Sequence, residues 1–435
     1  MQLGGKSSIR GALTAMTAML LGGGVAHAEG ERRLESSLLL YSEVDRVQAA
    51  EAILGLSMPL KGNRLFNARL TLDGLTGASP NGATPSATIQ TFTRPSGTGA
   101  YSVKPGEIPL DDTFKDSRYS VDGSLTQEMG RFTTVDFGAH FSGEHDYTSL
   151  GVNVGLTQDV NRKNTTVGVS GAYSHDIVRP EGGAPVPLAS MAASSGESGE
   201  REEEGDDDHE GGTGSGKGKD VLDGVVSVTQ VLGRKTLVRV NYSINRSSGY
   251  LNDPYKLLSV VQGRSSPQPG EPVDYLYESR PGSHTKQALY AQVRRYLGGH
   301  TVDLSYRYFW SSWGITSNTV DLYYRLPLGG DHALQPHLRY YRQTAADFYH
   351  TYLVDGNVVP EFASADYRLA PFHAITVGLQ YIFPVANGAH ISLGGEYYHQ
   401  AGDLSPPVGM GALSQYDLFP TLDAIMVRMG FGYDF

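Results

Sequence analysis

The side chains best suited to chemistry are charged residues that fall on every second position of otherwise apolar segments. They are Arg69, Asp73, Asp122 and Asp136 in the first half of the chain, and Arg239, Arg294, Asp303, Arg307, Asp321, Arg325, Arg339, Glu396 and Arg428 in the second. Projected into a water-filled hollow, such groups would set the ion preference of a passage. The arginines concentrate from Arg239 onward, which would make one wall basic. The same residues can instead pair across neighbouring strands, Arg307 beside Asp321 for example, and fill the hollow. Both readings stand at the level of sequence.

Other constellations are weaker. Glu197 to Glu210, ESGEREEEGDDDHE, holds nine acids and one Arg and reads as a solvated coil that cannot bury a core. Asp206, Asp208, Glu210 and Gly211 echo the start of a calcium loop, but Lys217 stands where its bidentate Glu belongs. Gly211 to Gly218, GGTGSGKG, lacks the Ser or Thr that a phosphate loop needs after its Lys, and reads as a flexible linker. His140, His337 and His390 fall on inward registers as polar lining, and neither an H-E-x-x-H nor a G-x-S-x-G motif occurs. No catalytic residue, metal site or cofactor follows, and the chain is read as a non-enzyme.

The elements that position the charged rows are strands. Leu34 to Val44, Val47 to Leu60, Leu65 to Thr76, Ser117 to Met129, Phe132 to Ser142, Tyr147 to Val160, Thr165 to Asp176 and Val221 to Leu232 alternate in polarity. So do Thr236 to Ser247, His284 to Leu297, His300 to Trp313, Thr316 to Leu328, His332 to Gln343, Pro371 to Pro384, Ala389 to Gln400 and Asp423 to Phe435. Tight turns near residues 62, 130, 162, 234, 298, 330 and 387 alternate with longer Gly/Pro/Ser-rich loops, the longest from Ile177 to Asp220. This is an all-β, antiparallel transmembrane barrel of about sixteen strands, with short periplasmic turns and long extracellular loops. Fourteen or eighteen strands are the alternatives, with Leu34 to Val44 and Val221 to Leu232 the weakest in pattern. Tyr306, Tyr308, Trp310, Trp313, Tyr340, Tyr341, Tyr397 and Tyr398 lie near strand ends and read as interface girdles.

The final strand is the clearest. Val427, Met429, Phe431, Tyr433 and Phe435 form one apolar row ending in an aromatic, and this resembles the signal that the barrel-assembly machinery reads in outer-membrane proteins. At the other end, Lys6 and Arg10 precede an apolar run from Ala12 to Leu21 and then Ala26-His27-Ala28. Residues 1–28 therefore read as a signal peptide, with residues 29–435 the barrel. Removing those two charges takes the net charge from −11 to −13, which argues against a nucleic-acid partner. Cysteine is absent, which excludes thiol chemistry. The expected surroundings are outer-membrane lipid and lipopolysaccharide.

Three stretches resemble a family of Gram-negative outer-membrane proteins catalogued as domain of unknown function 3570. They are Asp73 to Ala83 (DGLTGASPNGA); Tyr306 to Tyr349, with Trp313-Gly314-Ile315 and Ala345-Ala346-Asp347-Phe348-Tyr349; and Ser364 to Leu369 (SADYRL), leading to Ile375 to Leu379. The acidic residues common in that family ahead of the Trp-Gly pair are Ser311 and Ser312 here. The resemblance implies a barrel in the outer membrane and brings no substrate. A porin-like channel for small polar solutes is the first functional expectation, a structural or partner-binding barrel serving an envelope or export system the second, and an outer-membrane hydrolase the third. Intact-mass analysis of the exported protein should give a chain that begins at Glu29.

Overall fold

The structure, a computed structural model, describes residues 32–44, 46–94, 99–180, 182–191, 216–403 and 409–435. The expected signal peptide and the acidic tract Glu197 to Glu210 lie outside the described residues. Sixteen strands form one closed sheet: β1 Arg33–Glu43, β2 Gln48–Leu60, β3 Arg64–Pro80, β4 Leu110–Met129, β5 Thr133–Gly143, β6 Tyr147–Val160, β7 Thr165–Val178 and β8 Lys217–Gly233. They continue with β9 Thr236–Gly249, β10 Ser283–Leu297, β11 His300–Ser311, β12 Thr316–Gly329, β13 His332–Gln343, β14 Phe372–Pro384, β15 His390–Gly402 and β16 Leu422–Asp434.

Each strand pairs antiparallel with its neighbour in sequence, and β16 pairs with β1 from Asp434 opposite Arg33 to Ala424 opposite Glu43. Closure leaves no ladder edge, so the strands' backbone groups are satisfied without water. The outer face carries Phe137, Val152, Val154, Leu156, Leu304, Leu338, Val377 and Val427, all exposed, whereas Ser120, Ser142, Ser149, Asn245, Thr319 and Thr376 point inward and are buried. That is the inverse of a water-soluble protein, in which one contiguous apolar patch seldom exceeds about 600 Å². Among the described residues no helix is long and apolar enough to cross a membrane.

All seven tight turns fall at one end of the barrel, as expected from sequence; Asn63 and Asp331 take left-handed φ of 57° and 63° there. At the other end the structure departs from expectation. β3 continues to Pro80, β4 starts at Leu110 and β8 starts at Lys217, so the wall rises above the apolar band and takes in the end of the expected Gly-rich linker. In sequence these extensions (residues 77–80, 110–116 and 217–220) hold no run of alternating apolar residues, and hydrophobic period therefore gave no signal for them. β8 reads weakly because its inward Val221 and Val225 are themselves buried and apolar.

The described parts of the loops at that end are folded against one another. Gln90–Thr93 pairs with Ala100–Val103, and Leu257–Val261 pairs with both Pro272–Tyr277 and Leu353–Val354. Apolar clusters such as Phe92 with Val103, Met191 and Leu257, or Val261 with Met410 and Leu413, join separate loops into a cap. Gly82, at φ +96°, lets its backbone meet the Leu257 carbonyl where any Cβ would collide. Because Val154 sits mid-strand on the outer face, Val154→Arg should cost about 2–4 kcal/mol, measured by denaturant titration of barrel refolded into lipid vesicles.

Candidate functional site

The barrel wall is wide enough at sixteen strands to leave an aqueous interior. The inward charges named from sequence all lie on the inward register, and most are held by a neighbour. Arg294 bonds Asp303 at 2.6 Å, and Arg118, on β4, bonds both carboxylate oxygens of Asp73. Asp122 accepts from His140 at 2.7 Å, one strand from Arg69, and Asp136 accepts from Thr126 at 2.5 Å.

Midway along β12, β13, β15 and β16 the charges form a ladder across the wall. His337 Nε2 lies 2.8 Å from Asp321 and its Nδ1 3.0 Å from Glu396, while Arg339 Nε reaches the other Asp321 oxygen at 3.0 Å. The His337 ring stacks on Tyr323 at 4.1 Å between centroids. A cavity of about 260 Å³ opens beside it, lined by Tyr323, Gln335, His337, Gln380, Glu396 and Arg428.

The expected pairing of Arg307 with Asp321 does not form. Arg307 stands opposite Thr319 and its guanidinium lies 5.6 Å over the Phe309 ring, whereas Asp321 stands opposite Ser305 and Arg339. The wall is also less basic than its arginines suggest, since Asp303 and Asp321 engage Arg294 and Arg339. Six arginines (239, 294, 307, 325, 339, 428) and Lys286 face four carboxylates (303, 321, 396, 434) on the inward register of β9 to β16, leaving that wall positive. Arg325 and Arg428 are exposed to the lumen and form no ion pair among the described residues.

Towards the cap the interior closes. Inward Asp176, Asn245, Gln343 and Gln400 are all buried, whereas the Arg294 side chain, near the turn end, is 60% exposed. Asp176 is held by Tyr147, by Ser149 at 2.7 Å and by Lys219 at 3.1 Å. Sequence reading missed Arg118, Lys219 and Asp223, although all three fall on the inward period-two positions of their strands. Trp313, Tyr341 and Tyr398 are corrected from the girdle. Trp313 is buried under the cap, stacked on His284 at 3.7 Å, while Tyr341 and Tyr398 share the inward register of Arg339 and Glu396. Tyr306, Tyr308, Trp310, Tyr340 and Tyr397 do face outward, and so do Val427, Met429, Phe431, Tyr433 and Phe435.

A buried group of charges lies within the cap. Arg280 bonds Glu278 at 2.9 Å and Asp366 at 2.8 Å; Arg368 bonds Asp366 at 2.8 Å and Asp253 at 2.6 Å; Lys256 donates to the Pro80 carbonyl. Burial raises the Asp366 carboxyl, but Arg368, Arg280 and Lys256 outweigh it and hold the group well below the usual carboxylate range. Burial lowers Lys256 and raises Glu278. Three acids meet three bases, so the group is balanced in charge.

Barrel closure, outward apolar rows and a charged interior together define an outer-membrane-type β-barrel. The chain belongs to the family described as "Protein of unknown function (DUF3570)", whose model matches residues 10–434. No curated protein matches it. Among solved structures it is similar to a mutant of the ferric enterobactin receptor PfeA from Pseudomonas aeruginosa (11% identity, TM-score 0.42), over 88% of this chain and 56% of the receptor. It is also similar to a bacterial polysaccharide outer membrane secretin (8%, TM-score 0.43, 93% and 98% covered) and to the CymD monoaromatic hydrocarbon channel (9%, TM-score 0.39, 94% and 89%). The chain thus spans little more than half the length of the receptor.

At the rim, Asp116, Glu144 and Asp146 bring carboxylate oxygens within 4.8 Å of one another. Burial, then Asp116, pushes Glu144 up to about 7 even with Arg118 nearby. Its ionisation is therefore a penalty on the folded state that is full above pH 7, fades as pH falls through that value, and is gone below the ordinary glutamate range. Glu144→Gln should stabilise the protein by on the order of 2 kcal/mol at pH 8 and by little at pH 4, read from denaturation midpoints at the two values.

Proposed function

We propose that this protein is an outer-membrane conduit for small polar solutes with a preference for anions. The observation that carries the reading is the inward face of β9 to β16, where Arg325 stands exposed and Arg428 lines a cavity while the neighbouring carboxylates are already engaged. An unengaged guanidinium in a confined polar hollow attracts carboxylate and phosphate groups and holds them weakly enough to release. The 260 Å³ cavity suits one small solute at a time.

In this reading the outward apolar rows meet lipid and lipopolysaccharide. The row from Val427 to Phe435 is what the barrel-assembly machinery would engage during insertion, after export directed by residues 1–28. A second reading, a barrel whose main role is to present its folded cap to a partner, draws support from the extent of ordered packing among the loops.

Planar-bilayer recordings separate the two. The conduit should conduct, with a reversal potential favouring anions in a salt gradient, and Arg325→Gln with Arg428→Gln should reduce the anion-to-cation permeability ratio by about threefold or more. A barrel that never conducts, even with its cap loosened, would instead support the partner-presenting role.

A further inference from the structure

One set of bonds runs from wall to opposite wall across the mouth. On β13, the Gln343 side-chain amide donates to the carbonyls of Arg368 at 3.0 Å and Ala370 at 2.7 Å. Arg368 is bonded to Asp253 at 2.6 Å, and two residues further on the Tyr255 hydroxyl donates to Asp146 at 2.6 Å. Asp146 lies in the short connection between β5 and β6. In the ring of sixteen, β13 and β5 are eight places apart, half the circumference. A third attachment runs through Lys256 to Pro80 at the end of β3, reinforced by the Leu257 amide on the Asn81 carbonyl at 2.7 Å.

The tie is fastened in the middle by the six buried charges. Asp253, Lys256, Glu278 and Arg280 come from the loop between β9 and β10, and Asp366 and Arg368 from the loop between β13 and β14. Tyr367, between the last two, packs with Phe372 and Phe419 against the inward Tyr341. Beneath it the inward side chains Ser317 and Gln343 are 4% and 8% exposed. A buried ion group balanced in charge is stable while intact, but loss of one member leaves a buried charge without its counter-charge.

We infer that residues 366–368 and the loop 250–280 form a closed gate across the outer mouth, and that the ion group centred on Asp366 is its latch. The inference rests on the conduit reading for its physiological meaning, but its structural content can be tested separately. Opening requires the two loops to part at Asp366, which would expose the inner wall at Ser317 and connect the lumen to the outside.

The absence of native cysteine makes the test direct. Ser317→Cys reports on the wall under the gate, and Arg325→Cys, already exposed in the lumen, serves as control. Each is combined with Asp366→Asn in purified, folded protein, and the rate of modification by a small charged thiosulfonate is followed. Asp366→Asn should raise the rate at position 317 by about tenfold or more and leave that at position 325 unchanged. An unchanged rate at 317 in folded protein overturns the latch. Should Asp366→Asn not assemble, Arg280→Gln is read in the same way, and failure of both to form a barrel overturns the inference by showing that the group serves closure of the sheet. If modification rises while bilayers stay silent, the latch stands and the conduit reading fails; if single-channel open probability rises with it, both stand.

Discussion

The structure depends on the seam between its first and last strands. Until β16 pairs with β1, fifteen ladders end in two rows of unpaired amides and carbonyls, which hydrocarbon cannot solvate. Once paired, the sheet can show leucine, valine and tyrosine to an apolar surrounding at no cost in hydrogen bonds. The rest of the sequence is free to place charge on the other side. Every inward arginine and carboxylate is tolerable because the ring of backbone bonds is complete without it.

The interior made possible in this way is uneven along the axis. Near the tight turns it is roomy, and arginines project into it largely exposed. Midway, the Arg339–Asp321–His337–Glu396 ladder runs from β12 to β15, passing over Gly378 of β14, with each member fixed by the next. Above that, polar side chains are buried against loops that fold inward and carry their own apolar clusters. The cap is thus a second core, stabilised in the ordinary manner of water-soluble proteins and seated on a wall organised in the opposite manner.

Much of this was legible in the residues. Strict alternation in segments such as Phe132 to Ser142 or Tyr147 to Val160 fixed strand, face and register, because period two leaves little freedom once one side must be apolar. Turn residues such as Gly130 and Gly298 set the parity. What could not be read was partnership. Arg307 and Asp321 are two strand positions out of register, a difference that depends on the number of residues in the turn between β11 and β12. Tyr341 and Tyr398 look like girdle residues because each adjoins an outward tyrosine, Tyr340 and Tyr397, and only the face decides. The cap was least accessible, since loops packed by contacts between residues a hundred or more positions apart, such as Asp253 with Arg368, leave no periodic trace. Even so, the DGLTGASPNGA, AADFY and SADYRL stretches that carried the family resemblance prove to supply Pro80, Asn81, Phe348, Asp366 and Arg368 to that cap.

The line from Gln343 to Asp146 has a mechanical side. A thin-walled tube yields most easily by flattening into an oval, a distortion that lengthens one diameter as it shortens another. A strut of bonded side chains spanning a single diameter resists that mode along its own direction and leaves the perpendicular one soft. The rim should therefore yield to a sideways load along one axis more than along the other.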